Sequence, residues 1–454
     1  MSSLNAVKDR VEQVYGAFDD NQRKAAKAIL DEWFAGEDEE FVFPIVDGPP
    51  GTGKTTLGTT AIAEYLLERK TAQAVYMCYT HFAAAKAQEN LCDLLGLPPE
   101  RVIRLHHNPE RTDWTKGIVG CSSDLTSLSF NEKRRLKECN VLLCTLHGSR
   151  RAFKLRGARP RIIIDEFSQV DPPMFFATLS RIRSEQLIPD GYALLGDPRQ
   201  LPIITTQPLL KPNIGLFIMR RKPYQPHELV LQHRMHEDIC EAVNSLRRAL
   251  NTYPIQTSKE VKHRDLLELG FSWDKQAVKN NQFCEILDPQ HPFVIVDTDK
   301  IGGNEERCFG GSLRNAKEAN LAARLAKAIY ESYKDENGSH LKPIILSPYS
   351  AQVGEIRRKL PPTLRKMEIC TTIYRSQGRE YPCVIVSFVR NNPGGFIGFL
   401  EDPSLRAQTY VACSRAKGKL IVLLSRKTFL GHGHIDYDYL DSTKSAYKTE
   451  VKLD

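Results

Sequence analysis

Gly48-Pro49-Pro50-Gly51-Thr52-Gly53-Lys54-Thr55, set directly behind the apolar run Phe41 to Val46, satisfies G-x-x-x-x-G-K-[ST] at every fixed position. No other stretch restricts the fold as much. A strand must deliver the chain to a tight loop, small residues must let backbone N–H groups turn inward around phosphate oxygens, and a helix must leave the loop. Lys54 can then reach the β and γ phosphates, the Thr55 hydroxyl can ligate Mg²⁺, and Thr56 follows where the helix dipole is positive. The pattern implies a bound nucleoside triphosphate.

The carboxylates such a site needs follow the run Arg161-Ile162-Ile163-Ile164, which ends in Asp165-Glu166. A continuous apolar run of this kind is a strand buried on both faces of a parallel sheet, and ligands collect at the carboxyl ends of such strands. Asp165 is expected to hold the metal through its water shell, and Glu166 to orient or deprotonate an attacking water. Gln22, on a helical pattern upstream of the loop, has an amide that matches the donor and acceptor edges of adenine.

Further apolar runs, Ala74–Tyr79, Val141–Cys144 and Tyr192–Leu195, alternate with helical patterns and predict one doubly wound α/β domain over residues 1–215. Between about 98 and 139 the pattern breaks and basic residues accumulate, which reads as an insertion. A second α/β set is expected over 216–430, from Phe293–Val296, Ile344–Leu346, Cys383–Val386 and Leu420–Leu423, with an irregular insertion at about 251–292. None of these runs opens a second phosphate loop, so the second domain reads as a partner to the first nucleotide site. The first twenty residues are mostly polar, and 431–454 reads as a loosely held polar tail.

A length of 454 residues calls for two or three units. Hydrophobic residues at 41% and charged residues at 26% suit a soluble globular chain. No apolar run nears the roughly 20 residues of a membrane span, so no membrane partner is expected. Eleven cysteines without a C-x-x-C pair argue against a zinc module and for a reducing, intracellular setting, cytoplasm or nucleus. A net charge of +8 permits a polyanionic partner without requiring one.

Taken in order, Gly48–Thr55, Asp165-Glu166-Phe167-Ser168-Gln169, Gly196–Pro202, Gln232-His233-Arg234-Met235, Ser347–Gln352, Thr372–Glu380 and Val411–Lys417 resemble the motifs of superfamily 1 helicases, in the branch typified by the nonsense-mediated-decay helicase and senataxin. The resemblance implies two RecA-like domains in tandem closing over one ATP, with Mg²⁺. Arg234 and Arg415 match the arginines that stabilise γ-phosphate charge. Gln200 matches the γ-phosphate sensor, while Gln377, Gly378 and Glu380 match the segment coupling nucleotide to nucleic acid, with Glu380 near the ribose.

It also implies a single-stranded RNA or DNA gripped by its backbone, with Thr80, His81, Thr145, Pro198, Ser347, Tyr349, Thr372, Arg375 and Ser376 as contacts by position. Three departures stand out. His233 replaces the tyrosine usual beside adenine, though a histidine can stack as well. Tyr374 replaces an acidic, His or Asn residue of the coupling motif. The upstream β-barrel lobe of these relatives is expected to be missing, which favours help from a protein partner. The expected activity is 5′ to 3′ helicase or translocase action; the alternative is an ATP-gated RNA-binding clamp with little unwinding.

Overall fold

A computed structural model of the chain describes residues 2–34, 44–156, 160–185, 191–203, 207, 213–220, 225–278, 282–402 and 405–452. Contacts divide the chain into two compact units: Met1–Pro198 with Pro202–Val230, and Arg199–Leu201 with Leu231–Asp454.

In the first unit, strands β1 (Ile45–Asp47), β2 (Ala74–Cys78), β3 (Val102–His106), β4 (Ile118–Gly120), β5 (Val141–Thr145), β6 (Arg161–Asp165), β7 (Gly191–Gly196) and β8 (His227–Glu228) form one sheet. Their order is β4-β3-β5-β2-β6-β7-β1-β8, and every pairing is parallel. Successive side chains of a strand point to opposite faces, so the apolar runs feed two cores at once. Tyr76 and Cys78 pack with Trp33 and Leu57 on one face; Val75 and Met77 pack with Leu146 and Phe153 on the other. Among the described residues the strand before the phosphate loop runs over Ile45–Asp47, and Phe41–Phe43 lie outside them.

In the second unit, β9 (Phe293–Asp297), β10 (Ile344–Ser347), β11 (Cys370–Thr372), β12 (Tyr381–Ser387), β13 (Ala416–Leu424) and β14 (Tyr447–Glu450) form a second all-parallel sheet, ordered β11-β10-β12-β13-β9-β14. The alternation recurs: Val384 and Val386 enter one core, Cys383 and Ile385 the other. Each unit is thus a doubly wound α/β domain.

Several boundaries differ from the sequence reading. Residues 98–139 are no separate lobe, because β3 and β4 extend the main sheet and Val102, Ile103, Leu105 and Val119 are buried. The arginines that masked these short strands are largely tied down: Arg104 Nε donates to Gln88, Arg101 Nε to Asn140, and Arg135 lies over the Trp114 ring. Ser2–Gly16 is a helix that buries Val7 and Val11, one turn apart.

Residues 251–292 do lack long elements, yet Leu266, Phe283, Ile286 and Leu287 anchor them in the second core. The tail is not loose. Helix Ile435–Asp441 buries Tyr437 and Leu440, and β14 pairs along β9. Its polar residues point outward from an edge strand, which in sequence looks like a disordered end. The unit boundary falls after Val230, not at 215, and the chain crosses early to place Leu201 in the second unit's core.

Candidate nucleotide-binding site

β1 ends in Asp47 and hands the chain to the loop, where Gly48 N donates to Gly196 O at 2.8 Å. Gly51 and Gly53 take φ of 83° and 80°, a left-handed backbone that a side chain would strain. A Cβ on Gly48 would sit 2.3 Å from Lys54 Cγ, so this glycine makes room for the lysine. Lys54 folds over the loop, donating to Gly48 O at 2.5 Å, and Thr52 Oγ1 donates to Pro49 O at 2.8 Å. Lys54 opens the helix Lys54–Glu68, and Thr56 Oγ1 accepts from Asn90 at 3.3 Å.

Across the sheet, β6 delivers Asp165 to the same place. Thr55 Oγ1 donates to Asp165 Oδ2 at 2.9 Å, joining residues 110 positions apart. Tyr76 donates its hydroxyl to the same oxygen at 2.7 Å and orients the carboxylate from below. Burial and the Asp165 charge push the Tyr76 phenol well above its ordinary value, so it stays a donor. Tyr76 was not singled out in sequence; its place inside an apolar strand gave no signal. Glu166 follows in a left-handed turn, φ 58°, with its N–H on Asp165 Oδ1 at 2.8 Å. A hydroxyl and a carboxylate side by side are hard oxygen donors and fit Mg²⁺. Gln22 Nε2 donates to Thr52 O at 3.0 Å while its Oε1 accepts from Asp19 N at 3.0 Å, so this amide braces the phosphate loop.

In the second unit, Gln232 organises the motif around it. Its Oε1 accepts from Arg234 N and Met235 N, both at 2.7 Å, and its Nε2 donates to Met235 O at 2.8 Å. Arg234 then donates through Nε to Glu380 at 2.7 Å and through Nη1 to Ser414 O at 3.1 Å. Lys417 pairs with the other Glu380 oxygen at 2.6 Å. Desolvation pulls the Glu380 carboxyl upward, but Arg234 and Lys417 outweigh it and hold it down at about 2. Gly378, φ 75°, makes the turn before it.

Arg415 is placed differently. It is buried, and all three of its nitrogens donate inside the unit: Nε to Val411 O at 3.0 Å, Nη1 to Arg379 O at 3.0 Å and Nη2 to Ser414 Oγ at 3.1 Å. His233 Nδ1 lies 3.6 Å from Glu260, and its carbonyl accepts from Arg264 at 3.0 Å. Gln200 is buried beside Leu201, whose carbonyl accepts from Gln377 at 3.3 Å.

The positions expected to touch nucleic acid split into two groups. Thr80 and Thr145 are helix caps, accepting from Ala83 N at 3.2 Å and Gly148 N at 3.3 Å. Ser347 and Ser376 are fully buried; Ser347 Oγ accepts from Tyr349 N, and Ser376 Oγ donates to Ile373 O at 2.6 Å. Tyr349 is buried edge-on to Phe399 at 4.9 Å, so its ring is core and offers no stacking face. Pro198 is buried too, its carbonyl accepting from Asn213 at 3.1 Å. Arg375 is exposed, and Thr372 and His81 are partly exposed. Hydroxyl residues at strand ends serve capping and ligand contact equally well in sequence, and here capping accounts for their bonds.

Two protein-family models, each described as an AAA domain, match residues 39–206 and 216–427. The "DNA replication ATP-dependent helicase/nuclease dna2" of Schizosaccharomyces pombe is 26% identical over 397 residues, 85% of this chain and 27% of that protein. Its human counterpart is 26% identical over 433 residues, 92% of this chain and 38% of that protein. The "Regulator of nonsense transcripts 1 homolog" of Neurospora crassa is 24% identical over 434 residues, 86% of this chain and 36% of that protein. Along most of its length the chain is similar to superfamily 1 helicases, Upf1-like proteins among them. It spans well under half the length of these curated relatives. Among solved structures, the arterivirus nonstructural protein 10 helicase in complex with DNA aligns with 88% of the chain and 62% of its own, at 14% identity and a TM-score of 0.42. No helix among the described residues is long and apolar enough to cross a membrane.

Proposed function

We propose that this chain is an ATP-hydrolysing motor that moves 5′ to 3′ along single-stranded RNA or DNA and separates duplexes. The observation that carries the reading is the 2.9 Å bond between Thr55 and Asp165, which joins the phosphate loop to the acidic strand end. Lys54 is the cation for the β and γ phosphates, and Glu166 is the base for the attacking water. Thr55 and Asp165 would hold Mg²⁺, which when bound neutralises phosphate charge. Gln22 and His233 stand as the adenine contacts, with Gly378 and Glu380 toward the ribose and Gln200 as the γ-phosphate sensor.

Arg234 is better disposed than Arg415 to act on γ-phosphate charge. Among the described residues its Nη2 makes no hydrogen bond, while Nε and Nη1 fix the direction of the fork. On the strand side, Arg375, Thr372 and His81 are the side chains with surface to offer.

The test is ATP turnover with and without poly-U RNA or oligo-dT DNA at two salt concentrations, followed by strand displacement on a tailed duplex. Turnover stimulated by a polymer and weakened by salt is expected, because phosphate contacts release counterions. Glu166→Gln and Lys54→Ala should each lose at least a hundredfold in turnover. Wild-type turnover in either variant would refute the assignment. Stimulation without strand displacement would favour the clamp reading, and turnover indifferent to both polymers would point to grip supplied by a protein partner.

A further inference from the structure

Three histidines of the first unit meet at the carboxyl edge of its sheet, on the side away from the phosphate loop. His81 opens the helix His81–Glu89 after β2, His106 ends β3, and His107 follows it. In the sheet, β6 and β7 separate β2 from β1, so this cluster is distinct from the nucleotide site. One ligand-capable nitrogen from each ring lies within 4.8 Å of the others. His81 Nε2 and His107 Nδ1 are 3.2 Å apart, and the His106 ring lies 4.3 Å from that of His81 and 4.4 Å from that of His107. Two nitrogens on one tetrahedral zinc, at about 2.0–2.1 Å each, lie roughly 3.3 Å apart.

We infer that His81, His106 and His107 form a binding site for a divalent transition metal of the zinc type, three imidazoles with a fourth position open. The site would clip the start of the His81 helix to the end of β3 across β5. Imidazole nitrogens select borderline metals over Mg²⁺, which prefers oxygen.

The rest of the surroundings fit a metal that is bound but exchangeable. His81 Nδ1 is buried without a hydrogen-bond partner. Two features oppose tight binding. Arg104 and Arg151 repel a cation, and His106 Nδ1 accepts from Asn108 N at 3.0 Å. That bond puts the ring proton on Nε2, so ligation by His106 gives up the bond whichever nitrogen is used. A phosphate group is the competing ligand for rings beside two arginines.

The test uses the full chain without a histidine tag, stripped by a chelator and kept in excess Mg²⁺, and needs no ATP turnover. Co²⁺ is titrated by its visible absorption, and Zn²⁺ by competition with a coloured chelator. One equivalent per chain is expected. His107→Gln, at an exposed ring, and His106→Gln should each weaken Zn²⁺ binding at least tenfold, while His432→Gln in the second unit should not. Substoichiometric Zn²⁺ in the wild type, or unchanged affinity in His107→Gln, overturns the site. Unchanged metal titration with weakened oligo-dT or poly-U binding overturns it in favour of a phosphate contact.

Discussion

Arg234 and Arg415 were equivalent in sequence, each an arginine at a fixed place in a helicase motif, and the structure separates them. Arg234 is held at one edge by Glu380 and Ser414, whereas Arg415 donates from every nitrogen within its own unit. Arg234→Ala should therefore cut turnover at least tenfold with a smaller fall in melting temperature than Arg415→Ala, measured by calorimetry beside a kinetic assay. Arg415→Ala should lower stability by about 2–4 kcal/mol, because buried carbonyls lose charged donors. Equal melting temperatures for the two variants would contradict this division. Glu166 could be singled out as a candidate base because two carboxylates after an all-apolar strand have few other uses. Tyr76 could not, since a phenol in such a strand looks like any core aromatic until Asp165 is seen on top of it.

Among the elements, the helix Ala316–Ser332 carries a buried acid into the second core. Glu318 accepts from Ser387 Oγ at 2.7 Å and from Val389 N at 2.9 Å, and burial raises it to about 7. Its folded value lies above the unfolded one near 4.5, so the folded unit holds the proton more tightly. The charged form therefore costs stability as pH rises from 4.5 through 7, and the cost is fully present above it. Glu318→Gln removes that cost and should raise stability at pH 8 by on the order of 2 kcal/mol, with the gain vanishing near pH 4.5. Denaturant melts at both values check it, and a gain independent of pH would exclude titration as the cause. Strands were the most readable elements because burial on both faces makes them continuous apolar runs. β3 and the edge strands β4 and β14 were hidden, since all three are short and charged residues break the runs of β3 and β14.

For the whole molecule, the last twenty-odd residues matter more than their composition suggests. Tyr437 packs on Phe429 and Phe388, with ring centroids 4.5 and 5.3 Å away, and Asp436 takes a two-pronged bond from Arg406 at 2.6 and 2.8 Å. Removing residues 431–454 should destabilise the second unit by at least about 3 kcal/mol, given the burial of Tyr437 and Leu440. Limited proteolysis of the shortened chain should then cut within 231–430 first, and an unchanged digestion pattern would show the tail to be dispensable. What the sequence determined alone is the chemistry and the class. A phosphate loop, an acidic strand end and an ordered set of helicase motifs depend on residue type and spacing, which are local and one-dimensional. What the tertiary structure decided is which equivalent residues are free to act. Whether a threonine caps a helix, an arginine is spent on carbonyls, or three histidines share one corner depends on neighbours far along the chain, and spacing holds no record of them.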